Sequence, residues 1–123
     1  MSVRVGIDLV TVEEVQAAIA EHGERYLTRV YTERELRESR SEPGRLAARF
    51  AAKEATMKAL GRGDEGFGWR SIAVATGEDG QPAIELTGTV RALAAQRGVS
   101  NLAVSLTHQP GCAAAVVVAE VAA

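Results

Sequence analysis

The sequence predicts an α+β domain in which a mainly antiparallel sheet packs on one long buried helix. Three observations lead there. SIAVAT (71–76) and AIELTG (83–88) alternate around the turn chemistry of EDGQP (78–82), while NLAVSLTH (101–108) and CAAAVVVAE (112–120) flank Pro110 and Gly111, so both pairs read as β-hairpins. Helical patterns lie before and between the hairpins, a mixture that favours antiparallel pairing over a parallel crossover sheet. Residues 45–60 are apolar or small nearly all round, as in a helix enclosed by other elements. At 123 residues the chain holds one such core, residues 1–123 forming a single domain without internal repeat, linker or low-complexity tract.

Taken in order, VRVGIDLV (3–10) is β-branched and apolar and reads as a strand buried on both faces, with Asp8 inside the run. Thr11 and Glu14 have capping-box spacing, and Val12, Val15 and Ile19 give the first helix its stripe, ending near Gly23. GERYLTRVY (23–31) carries apolar positions at helical spacing, and Thr32 with Glu35 repeats the box before a short charged helix that runs to about Arg40; both look half exposed. Ser41 is a candidate cap, and Pro43 is compatible only with a helix's first turn, so the long helix starts near Arg45 and runs to Leu60, with Gly61 as its stop. GRGDEGFG (61–68) is a glycine-dense loop. The first hairpin, a helix over TVRALAAQRG (89–98) and the second hairpin complete the order β, several helices, ββ, α, ββ.

Composition removes several functional classes. Hydrophobic residues at 46% and charged residues at 24% exclude disorder and fibrous structure. A net charge of −2 and a pI near 5.7 leave no global positive field for nucleic acid or an anionic membrane, so any anion site must be local. No apolar run approaches the roughly 18 residues of a membrane span, and MSVRVGIDLV has no basic n-region, which leads to an expected cytoplasmic location. One cysteine, Cys112, makes neither an internal disulfide nor a thiolate cluster and reads as a small buried residue.

The long helix carries the chemistry. On a wheel, Leu46, Phe50, Met57 and Leu60 form an apolar arc with Lys53 in its middle, and alanines fill most of the opposite side. Arg49, Lys53, Glu54 and Lys58 therefore need partners, since burying each alone would cost several kcal/mol. Internal pairing of Glu54 with Lys58 at i,i+4 is one solution, worth about 0.2–0.5 kcal/mol. A second observation points outward. The chain has twelve arginines and two lysines, both in this helix, where a compact ammonium contacts phosphate as a point charge. A buried Asp at a strand end and a buried Glu on a helix supply hard oxygen ligands for Mg²⁺, which completes its shell with waters and substrate phosphates. Asp8 and Glu54 fit that role, with Arg49, Lys53 and Lys58 as a local anion site for a pyrophosphate or nucleotide. For Asp8 alone, hydrogen bonding to the backbone of the next helix is the competing reading.

VGIDLV (5–10), ARFAAKEATMKAL (48–60), GQP (80–82) and VSLTH (104–108) resemble, in order and spacing, the holo-acyl-carrier-protein synthase type of 4′-phosphopantetheinyl transferase across the whole chain. The resemblance implies transfer of the phosphopantetheine arm of coenzyme A to a serine of an apo acyl carrier protein, with release of adenosine 3′,5′-bisphosphate. It implies that Asp8 and Glu54 hold Mg²⁺ and that Glu54, directly or through a water, takes the serine proton. Lys58 would neutralise charge developing on the leaving phosphate. Arg49, Lys53 and His108 would contact the nucleotide phosphates, and Pro82 would form part of the adenine wall. The glycine loop around Gly63 would close over pyrophosphate, and homotrimerisation would build each site between neighbouring chains. Relatives usually place a basic residue about six positions after the Asp to meet the acidic carrier. Here Glu13 and Glu14 occupy that stretch, which shifts expected docking to Arg25 and Arg29.

Other features have plainer readings. GRGDEG matches GxGxxG but follows a helix and precedes a strand, the reverse of a dinucleotide fingerprint. His22 reads as solvated, and Val116–Val118 as sheet core or subunit interface. A catalytically silent oligomeric domain that binds coenzyme A or a carrier stays open beside the enzyme reading.

Overall fold

The computed structural model describes residues 1–61 and 68–122. β1 (Ser2–Thr11) leads into α1 (Val12–His22), α2 (Glu24–Val30), α3 (Glu33–Ser39) and the 17-residue α4 (Pro43–Ala59). A 3-10 turn (Trp69–Ser71) precedes β2 (Ile72–Thr76), β3 (Pro82–Leu86), α5 (Gly88–Gln96), β4 (Val99–Gln109) and β5 (Cys112–Val121). All pairing is antiparallel, in a three-stranded sheet of order β1-β5-β4 and a two-stranded sheet β2-β3. Both expected hairpins form, and Gly111, at φ 104°, takes the left-handed conformation that the turn after Pro110 requires.

Local chemistry sets the helix starts. Thr11 with Glu14 and Thr32 with Glu35 make complete capping boxes. At α4 the cap is Glu42 rather than Ser41: its carboxylate accepts from the backbone N–H groups of Gly44 and Arg45, so the helix begins two residues earlier than the sequence predicts, on Pro43.

α4 lies across the three-stranded sheet, and its alanines let it come close. Ala47, Ala48, Ala51, Ala52, Ala55 and Ala59 are buried against Ala113, Ala115, Val117 and Ala119 of β5. Gly6 makes the same closeness possible on β1: a Cβ there would overlap the Ala55 carbonyl oxygen and lie 2.8 Å from the Ala59 nitrogen. A second cluster, including Met57, Leu60, Ile72, Val90 and Leu93, joins the end of α4 to the small sheet and α5.

Only one face of β1 is covered, contrary to the expectation of burial on both. Val3, Val5, Ile7 and Leu9 are 55–67% exposed on the face away from α4. The reason is topological, because a single layer of helix covers a single side of a sheet. Cys112, at the start of β5, is half-buried rather than buried.

Candidate active site

Alternation along β1 points Gly6, Asp8 and Val10 toward α4. Since Gly6 lets the strand press against Ala55 and Ala59, Asp8 arrives beside the helix turn that carries Glu54 and Lys58. Lys58 Nζ donates to Asp8 Oδ1 and to the Ile7 carbonyl, each at 3.0 Å. The aspartate side chain is 12% exposed and the lysine 53%, so the carboxylate is sheltered while the ammonium stays open to solvent. The ion pair of Lys58 is thus made with Asp8 across elements and not with Glu54 along the helix. The backbone of α1 takes its cap from Thr11 and Glu14, leaving Asp8 free of that duty.

Asp8 and Glu54 face each other under electrostatic tension. Burial, then the negative charge of Asp8 and a hydrogen bond that protonated Glu54 shares with it, push the Glu54 carboxyl up to about 7, with Lys58 opposing and Glu14 adding to the effect. With Glu54 ionised, Asp8 Oδ2 is buried with no hydrogen-bond donor. An orphaned anionic oxygen beside a second carboxylate is what a small hard cation satisfies. Among the described residues no third Asp, Glu, His or Cys joins them.

Arg49 and Lys53 lie elsewhere. Successive residues on a helix point about 100° apart, so Lys53 faces the interior on the α3 side while Glu54 faces β1. Lys53 is fully buried; its Nζ donates to Glu35 Oε1 at 2.7 Å and to the carbonyls of Trp69 and Ile72 at 3.2 and 2.5 Å. The expectation that Lys53 contacts a nucleotide phosphate is therefore corrected: its three donors are spent inside the protein. Arg49, 8% exposed, donates from Nη1 to the Arg45 carbonyl, and its Nε is buried without a partner. Burial holds its pKa below the usual arginine value, opposed by the charges of Glu35 and Glu38.

His108 is exposed near the end of β4, against the start of α4, where a Cβ on Gly44 would come within 3.3 Å of its ring. Strand register places it on the same sheet face as Asp8, two strands across and two residues along, about 12 Å away. That is too far to share one ion and within the span of a nucleotide. Pro82 opens β3 in the other sheet, half-buried. Gly63 lies outside the described residues.

Sequence reasoning missed Glu35, which is fully buried although it sits in a charged helix that looks half exposed. The available signal was Lys53 itself, an ammonium on an apolar arc that demanded a carboxylate partner.

A family model described as the 4′-phosphopantetheinyl transferase superfamily matches residues 4–117. A holo-[acyl-carrier-protein] synthase of Salinispora arenicola is 45% identical, the match covering 98% of this chain and 99% of that one. One from Desulforudis audaxviator is 38% identical over 97% and 93%. Among solved structures, an acyl carrier protein synthase of Mycobacterium tuberculosis matches with TM-score 0.77 and 34% identity, covering 97% of both chains. The coenzyme A complex of the synthase from Chronobacterium ammoniagenes matches with TM-score 0.89 and 26% identity over all of both chains.

Proposed function

This chain belongs to the 4′-phosphopantetheinyl transferase superfamily, and from that premise we infer that it works as a holo-[acyl-carrier-protein] synthase. It transfers the 4′-phosphopantetheine arm of coenzyme A to a serine of an apo acyl carrier protein and releases adenosine 3′,5′-bisphosphate. Coenzyme A as the co-substrate is supported by the complex of the Chronobacterium relative. The observation that carries the site assignment is the buried Asp8 carboxylate beside Glu54, with Oδ1 held by Lys58 and Oδ2 left without a donor.

Asp8 and Glu54 would hold Mg²⁺, which supplies positive charge against the pyrophosphate when bound. The chain's own groups account for the rest. Lys58, half in solvent and tethered to Asp8, carries its ammonium where charge builds on the leaving phosphate, a contribution that is electrostatic and strongest in the transition state. Glu54, directly or through a water, is the proposed group to accept the serine proton, as the carboxylate beside Asp8 and Lys58. Arg49, with its spare Nε, and His108 are the proposed contacts to nucleotide phosphate, and Pro82 the proposed adenine wall.

The apolar outer face of the sheet supports self-association, and the family resemblance implies that the assembly is a homotrimer. Val3, Val5, Ile7 and Leu9 make a continuous exposed row on β1, beside half-buried Val116 and Val118 of β5. A row of that size marks an interface. Sites shared between neighbours follow from the same reading, and so does cytoplasmic residence beside the carrier. No helix of the described residues is long and apolar enough to cross a membrane.

A transfer assay with coenzyme A, apo carrier and Mg²⁺ separates this reading from a silent binding domain. The enzyme releases adenosine 3′,5′-bisphosphate in proportion to carrier converted. A binder shows affinity for coenzyme A and releases none.

A further inference from the structure

We propose that Lys53, with Glu35 as its counter-charge, is a positioning residue for the transfer reaction, a role that rests on the reaction assigned above. Both side chains are 0% exposed. The ammonium spends its three donors on Glu35 Oε1, the Trp69 carbonyl and the Ile72 carbonyl. Glu35 in turn accepts from the backbone N–H of Thr32 on Oε1 and of Val74 on Oε2, each at 2.9 Å. The network is closed, and it ties α3, α4 and the Trp69–Val74 segment to one another.

An apolar pair of similar volume would fill the same space but leave the Thr32 and Val74 N–H groups and the Trp69 and Ile72 carbonyls without these partners, so the pair contributes to stability. What the ion pair adds beyond that is direction. Three donors aimed at three fixed acceptors specify one rotation of α4 about its axis. Glu54 is the next residue, about 100° around the helix, so the rotation that seats Lys53 also sets the angle at which Glu54 meets Asp8. This also explains why a chain that otherwise uses arginine places a lysine here: a compact ammonium directs its three donors from one atom, whereas a planar guanidinium does not fit that space. Trp69, the one tryptophan of the chain, packs edge-on to Phe50 of α4 with ring centroids 5.2 Å apart, and so reports on the pinned segment.

The experiment compares wild type, the charge-free double variant Glu35→Leu/Lys53→Met, and Glu35→Asp, which keeps the charge and shortens its reach by one methylene. Folded fraction and urea midpoint, acrylamide quenching of Trp69, and kcat and KM for coenzyme A are measured on each full-length protein. The double variant is expected to fold with a lower urea midpoint, because the Thr32 and Val74 N–H groups and the Trp69 and Ile72 carbonyls lose their partners. Both variants are expected to expose Trp69 further to acrylamide and to lose about tenfold or more in kcat per folded protein, with KM for coenzyme A moving less than about twofold. A merely structural pair would leave kcat per folded molecule unchanged. Either folded variant with kcat within about twofold of wild type overturns the proposal, and if the double variant does not fold, Glu35→Asp decides by the same readouts. An inactive wild-type enzyme would instead overturn the reaction reading, so the two failures are distinguishable.

Discussion

In protein stripped of divalent cations, the strained pair of carboxylates should be visible as a pH dependence of stability with an unusual sign. Burial and the charge of Asp8 push Glu54 up to about 7 from an ordinary value of 4.5. Between those values the folded chain holds a proton that the unfolded chain has released, so stability is highest at the acid end and falls as pH rises toward 7, then levels off. From pH 5.5 upward, about 1.5 pH units of the shift remain, each worth about 1.4 kcal/mol, which gives about 2 kcal/mol; partial exposure of the site reduces this to about 1–2 kcal/mol. Glu14, Glu38 and Glu42 add nothing to this window, because hydrogen bonds hold them below their ordinary values and they are already ionised in both states. Urea unfolding in EDTA at pH 5.5 and pH 8, at one protein concentration, measures it. Asp8→Asn removes the facing charge but not the burial and should reduce the slope without abolishing it, and Mg²⁺ at a hundred times its dissociation constant should stabilise wild type by about 2.7 kcal/mol and the variant far less. Wild-type stability that is flat or rises across this window would refute the electrostatic description of the site.

Other perturbations test the scaffold and its surfaces. Gly6→Ala must lift β1 off α4, because the new methyl meets backbone atoms of Ala55 and Ala59; a loss of about 1–3 kcal/mol in urea and a lower kcat should appear together. Ile7→Glu, at a position 65% exposed, should leave the fold intact by circular dichroism while sedimentation shows a monomer and transfer is lost; an active monomer would refute shared sites. Arg25→Glu or Arg29→Glu, on the shallow cleft these residues form with His22 and Tyr26, should raise KM for the carrier and leave KM for coenzyme A unchanged, an effect that shrinks with salt. Carrier kinetics indistinguishable from wild type across a salt titration would place the docking surface elsewhere.

The elements of this fold were legible because their signals are local. Capping boxes at Thr11 and Thr32, the turns at 78–82 and 110–111 and the alternation of the strands each act within a few residues. Asp8 and Glu54 could be paired by residue type and by the family resemblance but not by any local spacing, and the structure supplies the physical link, the missing side chain of Gly6. The helix wheel put Lys53 on an apolar arc without saying what faced that arc. Its partner Glu35 comes from 18 residues away, through packing of α3 on α4 that no local pattern encodes. The cap of α4 was misplaced for a smaller reason: Ser41 is the commoner cap, yet Glu42 reaches two backbone donors at once.

The central claim is that Asp8, Glu54 and Lys58 perform phosphopantetheine transfer. Mass spectrometry of an apo carrier incubated with coenzyme A and Mg²⁺ tests it most directly, comparing wild type with purified, folded Asp8→Ala, Glu54→Ala and Lys58→Ala. Wild type should leave a phosphopantetheine adduct on one carrier serine, the two carboxylate variants no detectable adduct, and Lys58→Ala a slowly formed one, through a fall in kcat larger than any rise in KM for coenzyme A. Adduct formation at the wild-type rate by either carboxylate variant would contradict the claim.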